Sequence, residues 1–241
     1  MSKRLRNALT RLCGLIIFTL FVIPSGAQRS EDRKKPPMYV YTANWLVPRA
    51  NWADKEKANS ADKAILEKAL ADGTIVGYGD DENLVHQRDD FTHDNWWAAM
   101  SMAGLIKVLD QFHATLNATS PALASATESS DLIFVSRYYN WHPGPFKSAY
   151  VHVSFCRMKA DAPDDAIDTL SQNIIVPLLE KLLADATILE YEIDTLAIHT
   201  QAPGGFWVDY IAPKPDGLDK VQAAISDTLK AIRCPGRHLI P

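Results

Sequence analysis

The chain of 241 residues has few cysteines and lacks the motifs of the common catalytic chemistries. Its three cysteines are Cys13, Cys156 and Cys234. None belongs to a CxxC, and no Cys/His spacing fits a zinc site, so no metal is expected. GxSxG, the P-loop and HExxH are also absent, which argues against the hydrolase and nucleotide-binding families built on them. The 25 basic and 29 acidic residues are mixed along the chain, with a net charge of −4. No clustered Lys/Arg face is present to neutralise phosphates, so nucleic acid is not an expected partner. After residue 23 no further run is long and apolar enough for a membrane span.

What is present begins with an N-terminal address. Lys3, Arg4, Arg6 and Arg11 precede a twelve-residue apolar run from Leu12 to Ile23, which ends in Pro24-Ser25-Gly26-Ala27. This order of basic, apolar and small residues is that of a secretory signal peptide, and the run is short for a bilayer span. Residues 1–27 are therefore expected to be a signal peptide and 28–38 a charged, proline-ended leader. The mature protein is expected to be secreted or periplasmic, with no membrane association after cleavage.

The second feature is an echo. LEKALADGTIVGY (residues 66–78) returns as LEKLLADATILEY (residues 179–191). At that offset of 113, residues 66–86 and 179–199 agree at eleven of 21 positions, from Leu66/Leu179 through Asp81/Asp194 to His86/His199. Chance would give roughly one or two matches. A period that long marks duplication of a whole module.

Each copy reads as β-α-β-β-α. YVYTANWL (residues 39–46) and YVHVSFC (residues 150–156) are aromatic and β-branched, as first strands are. A helix follows, with apolar Ile65, Leu66, Ala69 and Leu70 in the first copy and Ile167 through Leu182 in the second, where Pro177 should interrupt it. Short strands are expected at 74–78 and around 84–87, and at 187–191 and 196–200. The second helix carries Trp97, Met100, Gly104, Val108 and Phe112 in one copy and Leu218, Val221, Ile225, Leu229 and Ile232 in the other. LIFVSRYY (residues 132–139) supplies a fourth strand to the first copy, and the tail 238–241 a weak one to the second. The fold class is α+β: two tandem ferredoxin-like βαββα(β) modules, 39–139 and 149–241, joined by a linker at 140–148.

A ferredoxin-like sheet has helices on one face only, so its other face must be covered. Strand alternation places Tyr39, Tyr41, Ala43 and Trp45 of one copy on that open face, with Tyr150, His152, Ser154 and Cys156 of the other, and Val151, Val153 and Phe155 toward the helices. Two such faces stacked together would enclose an aromatic, semi-polar barrel. On the paired segments 66–78 and 179–191 with their flanking strands, the chain resembles the dimeric α+β barrel superfamily. That superfamily includes the antibiotic-biosynthesis monooxygenase, EthD and NIPSNAP-like proteins and haem-binding relatives such as chlorite dismutases. The resemblance implies a fused pseudo-dimer whose cavity takes a small organic molecule or haem, with homo-oligomerisation left open. It transfers no catalytic residue by motif.

Candidate ligand-binding residues follow from position. His86 and His199 are equivalent and could act as base or ligand, although a partly exposed strand-end histidine kept by ancestry is the plainer reading. Tyr78 and Tyr191 are equivalent too, and serve equally as cavity or core lining. Trp45 and His152 sit on the open face by alternation. FTHDNWWAAM (residues 91–100) reads as a capped helix start, Thr92 or Asp94 capping and Trp96 and Trp97 in the first turn, rather than as a metal site. Asp80-Asp81-Glu82 read as solvated hairpin acids. The richer half is the first, with Trp45, Tyr78, His86, Trp96 and Trp97; His86 and Tyr78 are the catalytic candidates. Topology brings Cys156 and Cys234 to one sheet edge, a candidate disulfide in an oxidising compartment. A binding protein and an enzyme, either a cofactor-free oxygenase or isomerase or a haem enzyme, both remain open.

Overall fold

A computed structural model describes residues 35–85, 91–115, 128–143, 149–198 and 204–233. Strand β1 (Met38–Leu46) leads through a 3-10 turn, Arg49–Asn51, into α1 (Trp52–Ala71). Next come β2 (Gly77–Glu82), β3 (His93–Ala99), α2 (Met102–Thr115) and β4 (Glu128–Trp141). The second half runs β5 (Tyr150–Arg157), α3 (Ala166–Leu170), a π-turn (Ser171–Ile175), α4 (Val176–Ala184), β6 (Glu190–Ile198), β7 (Gly205–Ala212) and α5 (Pro215–Arg233). The π-turn lies just before Pro177, whose missing N–H cannot close an ordinary helical turn.

All seven strands form one antiparallel sheet in the order β2-β3-β1-β4-β6-β7-β5. The first four positions are the ferredoxin-like order, and β6-β7-β5 repeat its first three. The copies join where β4 pairs with β6, through two irregularities at Ile133/Phe134 and Ser136/Tyr138. On one face, α1 and α2 cover Tyr41, Ala43, Trp97 and Ala99, burying Leu66, Leu105 and Val108. In the second copy Leu179, Leu182, Leu183 and Val221 pack likewise on Tyr191 and Tyr210. The other face is rolled inward. Met38, Val40, Ala98 and Phe134 share a cluster there with Trp96 of β3, Leu196 of β6 and Trp207 of β7. In a flat sheet β3 and β7 would lie roughly 19 Å apart, at about 4.8 Å per strand.

The duplication is visible atom by atom. Gly73 and Ala186 occupy the same left-handed turn, φ +74° and +57°. The amides of Thr74 and Ile75 bond back to the Ala69 carbonyl, and those of Thr187 and Ile188 to that of Leu182. Asp72 accepts from the Thr74 amide at 2.9 Å, and Asp185 from the Thr187 amide at 3.0 Å. A Cβ on Gly104 would meet the Thr74 carbonyl oxygen at 2.8 Å; one on Gly217 would meet that of Thr187 at 2.9 Å. Both glycines let the second helix press on the turn that closes the first.

Three expectations need correction. The strands start later than 74 and 187, because Thr74-Ile75 and Thr187-Ile188 spend their amides closing a helix, and the next strand of each copy is β3 or β7 rather than 84–87 or 196–200: residues 84–85 lie outside any strand and 196–198 end β6. The segment 91–100 is strand β3, not a helix start. The Thr92 hydroxyl accepts from the Val47 amide at 3.0 Å and donates to the Trp45 carbonyl at 3.1 Å, so it ties two strands together instead of capping. Finally, the two faces are exchanged. Tyr39, Tyr41, Ala43 and Trp45 pack with the helices, whereas Val151, Val153 and Phe155 share the face of Trp207. Both faces of a rolled sheet are apolar, so hydrophobic alternation tells that two faces exist but not which one is inside.

Candidate functional site

β2 and β5 are the terminal strands of the described sheet. A cleft of about 2360 Å³ runs along these two edges and into the rolled face. Its apolar wall includes Trp96, Trp141, Phe155 and Trp207. Trp207 meets Phe155 at 4.8 Å and Phe134 at 5.1 Å between ring centroids. Val153 and Phe155 are 56% and 49% exposed, large apolar side chains open on the cleft.

Six carboxylates share the inner face with these apolar side chains, and three of them, Asp81, Asp94 and Glu190, line the cleft. β6 alternates Glu190, Glu192 and Asp194 there, between Tyr191 and Ile193 on the helix side. Register sets Glu192 opposite Asp209 of β7, and Asp81 of β2 opposite Asp94 of β3. Like charges directly across a strand pair are unfavourable. Burial dominates their protonation: it raises Asp81 and Asp194 to about 6, and Asp94 and Glu190 to about 7. Glu192 and Asp209 are raised well above the ordinary range, first by burial and then by their acidic neighbours. Asp194 and Asp94 are the acids that add to the rise of Asp209. Asp94 and Asp209 each keep one buried oxygen, Oδ1, without a hydrogen-bond partner, whereas Asp194 has Ser136 and Glu192 beside it.

Lys55 is the nearby cation, yet it stands behind the sheet. It is 1% exposed, and its Nζ donates to Asn95 Oδ1 at 2.6 Å and to Asn59. Burial lowers its pKa to about 8, against the pull of Asp80, Asp62 and Asp94. Among the described residues, no salt bridge engages any of the six inner carboxylates.

The residues singled out from sequence are distributed around this site. Trp96 lies on the inner face across Gly79, where a Cβ would stand 2.7 Å from its ring; its Nε1 donates to Asp81 at 3.1 Å. Trp97 faces the helices, stacked on Tyr41 at 4.1 Å and donating to the Leu105 carbonyl at 3.2 Å. Trp45 and Tyr78 pack with the same cluster. His152 stacks on Tyr210 at 4.9 Å, its Nε2 lies 2.8 Å from Ser154 Oγ, and burial lowers its pKa. These five also border the cleft. Tyr191 is buried away from it and donates to Glu180 at 2.6 Å. Cys156 is a half-buried free thiol, and its candidate partner Cys234, with His86 and His199, lies outside the described residues.

Sequence reasoning missed the acids. Asp81 is not a solvated hairpin residue, although its neighbours Asp80 and Glu82 are exposed. The available signal was EYEID, acids at every second position of a strand, together with the retained Asp81/Asp194 pair in the repeat.

The sequence matches no protein-family model and no curated protein. Solved structures match the fold. A Fusobacterium nucleatum protein, provisionally described as a monooxygenase, aligns over 82% of this chain and 86% of its own, with TM-score 0.52 and 9% identity. An anthrone oxidase-like protein aligns over 83% and 86%, at TM-score 0.48 and 10% identity. A chlorite dismutase of Candidatus Nitrospira defluvii aligns over 78% and 81%, at 0.44 and 12%. The likeness is one of fold: this chain has the architecture of the dimeric α+β barrels, with both halves in one polypeptide.

Proposed function

We propose that the protein is exported and binds a small organic molecule in the cleft between β2 and β5. The observation that carries this reading is the cleft itself, about 2360 Å³ with a tryptophan and phenylalanine wall beside buried carboxylates. Ligand sites combine apolar walls with a few placed polar groups in this way. Nile red, a neutral aromatic dye, tests it: one equivalent should bind with energy transfer from tryptophan. Phe155→Ala should weaken it by roughly three- to tenfold, the value of an aromatic contact. No stoichiometric binding, or binding indifferent to Phe155, would reject the reading.

A cofactor-free enzyme is the second reading, and Asp94 favours it. A cleft carboxyl with a pKa of about 7 is matched to proton transfer near neutrality. The monooxygenase description of one fold relative is compatible with it, as analogy only. The carboxylates of the inner face would oppose haem's own propionates, which favours the cofactor-free form of the enzyme reading.

A further inference from the structure

We infer that the outer edge of β5 is a docking surface for a second copy of this chain, joined strand to strand across a two-fold axis, with Val153 opposite the partner's Val153. The inference goes beyond ligand binding and does not rest on it. It begins with the direction of the backbone groups. The Met158 amide donates to the Gly204 carbonyl at 2.9 Å, in the same register that pairs β5 with β7. Alternation then turns the amides and carbonyls of His152, Ser154 and Cys156 toward β7, and those of Val151, Val153, Phe155 and Arg157 outward. β5 is the last strand of the sheet, so among the described residues this outward row meets no neighbouring strand. The side chains of the same four residues are exposed as well, Val153 at 56% and Phe155 at 49%.

The two terminal strands treat an exposed edge differently. β2 is six residues long and contains Asp80, Asp81 and Glu82, charges that discourage pairing with another strand. β5 runs for eight residues with no proline, no acid and no irregularity in its register, and its one charge is Arg157 at the end. An edge this long, regular and apolar calls for a strand to cover it. The sequence of β5 supplies that strand itself. In an antiparallel pair centred on Val153, Val151 falls opposite Phe155 on one face and His152 opposite Ser154 on the other. Arg157 falls opposite Ala149, so no like charges meet. The outward groups of Val151, Val153 and Phe155 then face their own counterparts, the arrangement in which each opposed pair exchanges both hydrogen bonds. A two-fold pair of this kind closes on itself. β5 laid on β2 of another copy would instead leave further free edges and set Val151 to Phe155 beside acids.

Sedimentation velocity and cysteine cross-linking of the purified protein, without ligand, test the pairing. An eight-residue strand pair is a small interface, so the protein should pass from monomer to dimer in the range of roughly 1–100 μM. Val153→Lys sets two cations opposite each other and should weaken the dimer by about tenfold. Its position is exposed in the single chain, so the fold should hold, which far-UV circular dichroism verifies. Val153→Cys puts two thiols on the axis, with Cα atoms about 5.5 Å apart and inside the disulfide window, and should give a covalent dimer under mild oxidation. Val151→Cys should cross-link several-fold less, because the same register holds the two 151 positions about 14 Å apart at ~3.4 Å per residue. Both variants carry the same native cysteines, so the comparison reads the register alone. A protein that stays monomeric throughout that range would overturn the proposal. So would a dimer indifferent to Val153→Lys, or equal cross-linking from 151 and 153, since either would place the contact elsewhere. A monomer whose Val153 amide resists hydrogen exchange would assign the edge to another segment of the same chain and overturn the second copy.

Discussion

Removing one buried charge should make this protein more stable, and by an amount that depends on pH. Asp194 is the clearest position: it is 2% exposed, faces the acid-rich inner surface, and burial lifts its pKa from 3.8 to about 6. A carboxyl with a higher pKa folded than unfolded takes up a proton on folding, so stability falls as pH rises through that interval. The penalty is absent below about pH 4, grows toward pH 6 and is fully present above it. At ~1.4 kcal/mol for each tenfold in proton affinity, the ionised Asp194 costs the ligand-free fold about 3 kcal/mol. Asp194→Asn keeps the shape and removes the charge. Its melting temperature at pH 8 should rise by about 6 to 12 °C, taking roughly 2–4 °C per kcal/mol for a chain of this size. At pH 4 the same substitution should change little. Thermal melts followed by circular dichroism at pH 8, 6 and 4 measure this directly. A variant less stable at pH 8, or a gain that does not shrink with acid, would refute the claim that Asp194 is a buried, repelled carboxylate.

The duplicated turns allow paired tests by chemical denaturation. Gly104→Ala and Gly217→Ala each push a Cβ to within 2.9 Å of a backbone carbonyl, so both should destabilise by about 1–3 kcal/mol despite the better helix propensity of alanine; a neutral result at either would deny the close approach. At the left-handed position, Gly73→Ala should cost about 1 kcal/mol and Ala186→Gly should stabilise by up to a similar amount, since a Cβ is disfavoured there. A methyl group on Gly73 would meet no atom within 4 Å, so backbone conformation alone sets that effect. Export is checked by mass spectrometry of the envelope-extracted protein, which should begin at Gln28.

The fold was legible because its signals were repeated. A match of 66–78 to 179–191 identifies a module, and a ferredoxin-like module with one bare sheet face implies a partner, here the second copy. The apolar stripe of α5 was legible for the same reason, and Leu218, Val221 and Ile225 of it pack on the second copy's core. Legibility failed where two physical solutions share one pattern. Trp96-Trp97 followed by Met100 and Gly104 looks helical, yet in β3 the two rings point to opposite faces, one to Gly79 and one to Tyr41. Val151, Val153 and Phe155 looked like helix-facing residues because nothing local distinguishes a helix layer from a rolled interior. The acids were misjudged for a related reason. Charge in sequence suggests solvent, and only register shows that Asp94, Glu192 and Asp209 stand opposite or near other acids.

The asymmetry between the copies explains why they are joined in one chain. At the 113 offset, Gly77 and Gly79 of β2 correspond to Glu190 and Glu192 of β6, and Trp96 of β3 corresponds to Asp209 of β7. In the first copy the missing side chain at Gly79 leaves room for the Trp96 ring to lie across β2. In the second copy the same cross-strand pair is Glu192 facing Asp209. At this one cross-strand position the first copy has a ring over a glycine and the second an acid pair. Asp94 and Trp207, also equivalent positions, reverse the exchange, so the inner face of each β3-type strand carries one Asp and one Trp in opposite order. Two identical chains would carry the same residue at each equivalent position, whereas in one chain the two occurrences can differ, as they do at 79/192, 94/207 and 96/209, while Asp81/Asp194 is an acid kept in both.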